Sequence, residues 1–94
     1  MKAIWNGRVI AESDETVVVE GNHYFPHDTI FKEFFNTSAT NTTCPWKGVA
    51  SYYNINVDGK INNDAAWYYP EVSELAKGIK NKVAFWKGVK IVEQ

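Results

Sequence analysis

The sequence is poor in the features that hold small domains together covalently or draw them to charged partners. It has one cysteine, Cys44, so neither an internal disulfide nor a multi-thiolate zinc site can form, and a reducing compartment, the cytoplasm, is the expected location. Ten Lys and Arg face eleven Asp and Glu, for a formal charge of −1. Without a basic excess there is no general electrostatic drive toward nucleic acid or anionic lipid, and neither is expected as a partner. No stretch approaches the roughly 20 apolar residues of a membrane helix, and the segment Met1 to Gly7 loses its apolar character too early for a signal peptide. The sequon Asn41-Thr42-Thr43 is therefore expected to stay unmodified. Repeats, linkers and low-complexity segments are also missing.

What the chain does have is apolar area. Its 94 residues are 45% hydrophobic and include four Trp, five Tyr and five Phe, enough large side chains to offset the conformational entropy of a short chain without cross-links. This length favours one core, hence a single domain over 1–94 that is monomeric or homodimeric.

Short apolar runs separated by turns predict a mainly β fold. Asn6-Gly7 and Asp58-Gly59 are hairpin signals, and Thr16 to Glu20 is β-branched, which suits a pleated strand. Gly21-Asn22 turns the chain toward His23 to Pro26. Asp28 reads as the N-cap of a helix through Phe35, with Phe31, Phe34 and Phe35 on one face. The polar run Asn36 to Thr43 reads as a loop. Beyond Gly48, Tyr53, Ile55 and Val57 alternate with Tyr52, Asn54 and Asn56, and in the return strand Trp67 and Tyr69 share a face opposite Tyr68. Glu71 to Lys77 predicts a helical turn, followed by strands at Val83 to Trp86 and Val89 to Val92. The expected architecture is a small twisted antiparallel sheet, curled into a half-barrel or pseudo-barrel, with one or two short helices.

Trp5-Asn6-Gly7 with Ala11-x-Ser13, Tyr24-x-Pro26, Thr43-Cys44-Pro45-Trp46-Lys47-Gly48-x-Ala50-x-Tyr52, Trp67-x-Tyr69-Pro70 and Val83-Ala84-Phe85 occur in that order over nearly the whole chain. Together they resemble the small bacterial domain of unknown function 427 family. The resemblance implies a β-tent fold grouped with Mss4-like zinc proteins, and it carries a nucleotidyltransferase heading. The residues depart from both labels. Cys44 alone, with His23 and His27 as the available nitrogen ligands, lacks the paired Cys-x-x-Cys elements of a structural zinc site. Asp14-Glu15 and Asp58 fall in hairpin turns and do not make the close acidic pair that holds magnesium against substrate phosphates. No metal and no cofactor is expected.

The candidate site centres on the loop Cys44 to Gly48. Pro45 forces the residue before it into extended geometry, and Lys47 can lower a nearby thiol pKa or bind an anion. One reading is a reactive thiolate or anion site; the other is a small buried Cys44 beside a solvated Lys47. Tyr24, Tyr52, Trp67 and Tyr69 form either an aromatic pocket wall or simply the core. Ser13, Glu20 and Lys47 can supply polar groups, although the sequence does not bring them together. A Ser13, His23 and Glu20 triad lacks a nucleophile elbow and is discounted. His23 and His27 straddle Pro26, so helical i, i+4 metal geometry is closed to them. The lysines 77, 80, 82, 87 and 90 read as a solvated face, or as a basic patch for a phosphate ligand.

Three function classes stay open. The first is a binding module for a small ligand, anions included, with Tyr24, Cys44, Lys47, Tyr52, Trp67 and Tyr69 around the ligand. The second is an enzyme using Cys44 as nucleophile or redox centre, or performing the nucleotidyl transfer that the family heading implies. The third is an interaction domain using exposed aromatics or free sheet edges.

Overall fold

The computed structural model describes residues 1–93, which form nine strands and three short 3-10 turns. Strands β1 (Lys2–Trp5) and β2 (Arg8–Glu12) make the hairpin that Asn6-Gly7 predicts, with φ of 50° and 77° at those two residues. Strand β3 (Val17–Val19) pairs with β4 (Asn22–Tyr24) across the Glu20-Gly21 turn. Strands β5 (Phe35–Cys44), β6 (Gly48–Val57), β7 (Lys60–Tyr68) and β8 (Val83–Phe85) follow one another in an antiparallel sheet. Strand β9 (Lys90–Val92) returns to pair with β1.

The sheets have linear strand orders, β2-β1-β9, β3-β4 and β5-β6-β7-β8, and do not close into a barrel. The expected mainly β architecture of small antiparallel sheets with short helical turns is present, and the sheets stay open. The β3-β4 ribbon is attached to the large sheet through a reciprocal pair of backbone bonds, Phe25 N to Val83 O at 2.7 Å and Val83 N to Phe25 O at 2.8 Å. That junction sets Tyr24 beside the face of the sheet that carries Trp67.

Period-two alternation divides the large sheet into two buried faces. One face packs Ile55, Val57, Ala66 and Phe85 against Ala3, Ile10 and Ala11 of the first sheet. The other gathers Tyr24, Ala50, Tyr69 and Ala84 with Ala76 and Ile79 of the third 3-10 turn (Glu74–Ile79). Tyr53 and Tyr68 stack on the first face with ring centroids 4.9 Å apart, while Tyr52 and Trp67 pack on the second. The separation of Tyr52 from Tyr53 and of Trp67 from Tyr68 thus follows the alternation.

Two expected elements are corrected. In place of a helix from Asp28 to Phe35 there are two 3-10 turns, His27–Thr29 and Lys32–Phe34, separated by extended Ile30. Ile30 bridges to Ala11 and the Phe31 amide donates to Ile10 O at 2.9 Å, so pairing with β2 takes the backbone bonds that a helix needs. Phe31 is left exposed rather than on a buried stripe. The polar run from Asn36 to Thr43 is not a loop but most of β5. Its threonines are β-branched, and its polar groups find cross-strand partners: Asn41 Nδ2 donates to Ala50 O at 3.1 Å, and the Thr42 and Tyr52 hydroxyls lie 2.9 Å apart. The irregular register between Thr37 and Asn41 is tied down by Asp64, whose carboxylate accepts from Ser38 Oγ at 2.5 Å and Thr40 Oγ1 at 2.9 Å.

Candidate functional site

Strands β5 and β6 meet in a hairpin with Cys44 paired to Gly48 and Pro45-Trp46-Lys47 as its loop. Gly48 has a φ of +131°, and a Cβ there would stand 2.8 Å from Glu71 O. Only glycine suits that combination of backbone and close approach. The loop is also held from outside: the Ser73 amide donates to Lys47 O at 3.1 Å, and the Ser73 hydroxyl donates to Trp46 O. Both constraints fix the direction in which Lys47 leaves the backbone.

Lys47 points inward. Its side chain is 8% exposed, against 56% for its ion-pair partner Glu20 at the β3-β4 turn, and its ammonium lies 4.7 Å from the Trp46 ring centroid. The expectation of a solvated Lys47 is overturned. Burial works against the charge, but the hydrogen bond that Lys47 donates to Glu20 and the surrounding polar groups outweigh it and raise the Lys47 pKa above its ordinary value. The amine is therefore a fixed cation at neutral pH, suited to binding an anion and not to nucleophilic attack.

Lys47 helps to line a solvent-open cavity of about 200 Å³ together with Asn22, Tyr24, Tyr52, Trp67, Tyr69 and Trp86. Register explains the grouping: Tyr52 lies opposite Trp67, and Trp67 opposite Ala84, whose short side chain leaves room between the rings. Tyr24 meets Trp67 edge-on at 6.2 Å and accepts a hydrogen bond from its indole Nε1 at 3.3 Å. Trp86 meets Trp67 edge-on at 5.9 Å, and its indole donates to Asp64 O at 2.5 Å. Burial raises the pKa of Tyr24, and burial pushes Tyr69 up to about 12, so both phenols stay protonated and remain hydrogen-bond donors.

Of the six ligand-site residues expected from sequence, Tyr24, Lys47, Tyr52, Trp67 and Tyr69 come together around this cavity. Cys44 does not line it; half-buried at the end of β5, it packs against the buried cluster that holds Tyr24, Ala50 and Tyr69. Asn22 and Trp86 were not expected there. Asn22 reads as a turn residue and Trp86 as a strand end, and what brings both in is the Phe25–Val83 junction, a long-range pairing with no local signal. Ser13, expected as a polar contributor with Glu20 and Lys47, lies elsewhere, its hydroxyl accepting from the Glu15 amide at 2.9 Å.

The histidines are separated. His23 Nδ1 lies 3.0 Å from Thr16 Oγ1, and His27 bridges Asn81 O at 2.9 Å and the Tyr53 hydroxyl at 2.7 Å. Among the described residues no three His, Cys, Asp or Glu side chains are grouped to hold a metal ion. Of the lysine series, 77, 80, 87 and 90 are exposed and Lys82 is half-buried; none lines the cavity. Among the described residues no helix is long and apolar enough to cross a membrane.

The motifs running through this framework belong to one family. A family model described as a domain of unknown function (DUF427) matches residues 1–94, and the chain is a member of that family. No curated protein matches it.

Proposed function

We propose that the chain is a small-molecule-binding module whose site is the cavity between the Cys44 to Gly48 hairpin and the β3-β4 ribbon. The observation that carries this reading is that Lys47, buried and charged, lines one cavity with Tyr24, Tyr52, Trp67, Tyr69 and Trp86. A charge taken out of water is costly and is retained where it has a use. Aromatic walls with a few convergent polar groups are the usual make-up of a ligand pocket, although about 200 Å³ restricts the bound portion to roughly one substituted ring. Magnesium-dependent nucleotidyl transfer draws less support from the residues. Asp58 pairs with Arg8 at 3.8 Å, Asp14 and Glu15 lie exposed between β2 and β3, and among the described residues no carboxylate lines the cavity.

Thermal shift with a panel of small metabolites tests the reading. Binders should raise the Tm of the wild type and lose that effect in Lys47→Ala and Trp67→Ala. A panel that stabilises all three proteins equally places binding elsewhere and contradicts the reading.

A further inference from the structure

We propose that the cavity selects a planar aromatic oxyanion, a carboxylate or phosphate on a single ring, and that Glu20 is a built-in counter-ion which this anion displaces from Lys47. The inference rests on the binding reading above and goes on to name the ligand class and the exchange that admits it.

The two members of the ion pair are held very differently. Lys47 is buried, and its backbone is clamped by Ser73 and by the tight Gly48 approach to Glu71. Glu20 is more than half exposed at the tip of a two-stranded ribbon, in a turn where it and Gly21 have φ of 53° and 79°. Moving Glu20 into water requires no change in the cavity walls. Moving Lys47 would require dismantling the hairpin. The exposed carboxylate keeps most of its hydration, so it loses little on release, whereas the ammonium must always have an anion.

The lining is rich in hydrogen-bond donors. The Tyr24 oxygen already accepts from Trp67, which leaves its proton to donate, and the Tyr69 phenol, kept protonated by burial, also lines the cavity. Together with the ammonium hydrogen that Glu20 gives up on leaving, these make a cluster of donors, and among the described residues no carboxylate lines the cavity. Such a set suits an oxyanion, because each donor can address one of its lone pairs. Tyr52, Trp67 and Trp86 supply faces and edges for a ring. A cavity of about 200 Å³ compares with about 150 Å³ for one that accepts benzene, which leaves room for one charged substituent.

Isothermal titration with benzoate, phenyl phosphate, neutral benzamide and cationic benzylamine tests the proposal on wild type, Glu20→Gln and Lys47→Met. Glu20→Asn, which tolerates the positive φ better than Gln, guards against misfolding of the first variant. Benzoate or phenyl phosphate should bind the wild type, and whichever binds identifies the acid group. Removing the competing carboxylate should tighten that binding by about threefold or more, and Lys47→Met should weaken it by about tenfold or more. Anion binding that is unchanged or weaker in both Glu20 variants overturns the displacement. A preference for benzamide or benzylamine overturns the anion class while leaving a binding pocket in place. If no probe of any charge binds the wild type or either Glu20 variant, the inference falls, and the metabolite panel alone then decides the binding reading.

Discussion

If Lys47 is retained for binding, its removal should cost the fold little, and Lys47→Met measures this. The ammonium lies in a nearly closed environment, with 8% of its side chain exposed, and the penalty for placing an ion there is several kcal/mol. Against this stand the pairing with Glu20 and the contact with the Trp46 ring. The pairing is discounted because Glu20 is more than half in water, so about 1 kcal/mol is appropriate, and the ring contact adds about 0.5–1 kcal/mol. Methionine keeps the length and apolar stem of lysine, so no large void opens, and the released Glu20 is solvated. The sum predicts a variant within about 1 kcal/mol of the wild type or more stable than it. Chemical denaturation gives the value directly, and in a domain of this size 1 kcal/mol corresponds to about 4–8 °C in Tm. A loss above about 2 kcal/mol would refute the reasoning, because it would make Lys47 a structural residue with no need of a ligand.

Gly48→Ala places a methyl group 2.8 Å from Glu71 O at a φ of +131°; it should cost about 2 kcal/mol or more by denaturation, whereas Gly78→Ala, with open space around it, should be close to neutral. Asp64→Asn should lower Tm at neutral pH. The Ser38 and Thr40 hydroxyls hold the Asp64 pKa below its ordinary value, so their contribution is present at neutral pH and lost as pH falls through the folded-state pKa; the variant should therefore show a shallower acid limb in Tm against pH. At the alkaline end, burial pushes Tyr53 and Tyr69 up to about 12 and raises Tyr24, and the Lys47 pKa is also raised. Groups raised on folding favour the native state below their unfolded pKa, so stability should fall as pH climbs from about 10 to 12. Phenolate absorbance should show these tyrosines ionising together with unfolding, and early ionisation in the folded protein would contradict their burial.

The sequence carried the strands whose signal is local. Asn-Gly and Asp-Gly turns set the hairpins, and alternation correctly separated Tyr52 from Tyr53 and Trp67 from Tyr68, while the cross-strand register decides which of them share a face. It misread segments decided by distant partners. The Phe31, Phe34 and Phe35 spacing mimics a helix, yet Ile30 and Phe31 bond to β2 instead. The run Asn36 to Thr43 looks like a loop because of its hydroxyls and amides, but those groups are satisfied by Asp64, Ala50 and Tyr52 across the sheet. For the site, the hairpin motif marked Lys47 and the aromatics together, while the burial of Lys47, its pairing with Glu20 and the arrival of Asn22 and Trp86 depend on how the β3-β4 ribbon joins β8. That join is made by a pair of backbone bonds between residues 58 positions apart in sequence, Phe25 and Val83, and composition does not encode it.

The central claim is that ligands enter the cavity beside Lys47, and the indole resonances of the four tryptophans test it most directly. Trp67 and Trp86 line the cavity, whereas Trp5 packs in the first sheet. In a ¹⁵N-edited titration with benzoate or phenyl phosphate, the account predicts saturable shifts at the Trp67 and Trp86 indoles, an unmoved Trp5, and loss of the shifts in Lys47→Met. Unchanged Trp67 and Trp86 indoles at saturating probe, or equal shifts with and without Lys47, would contradict it.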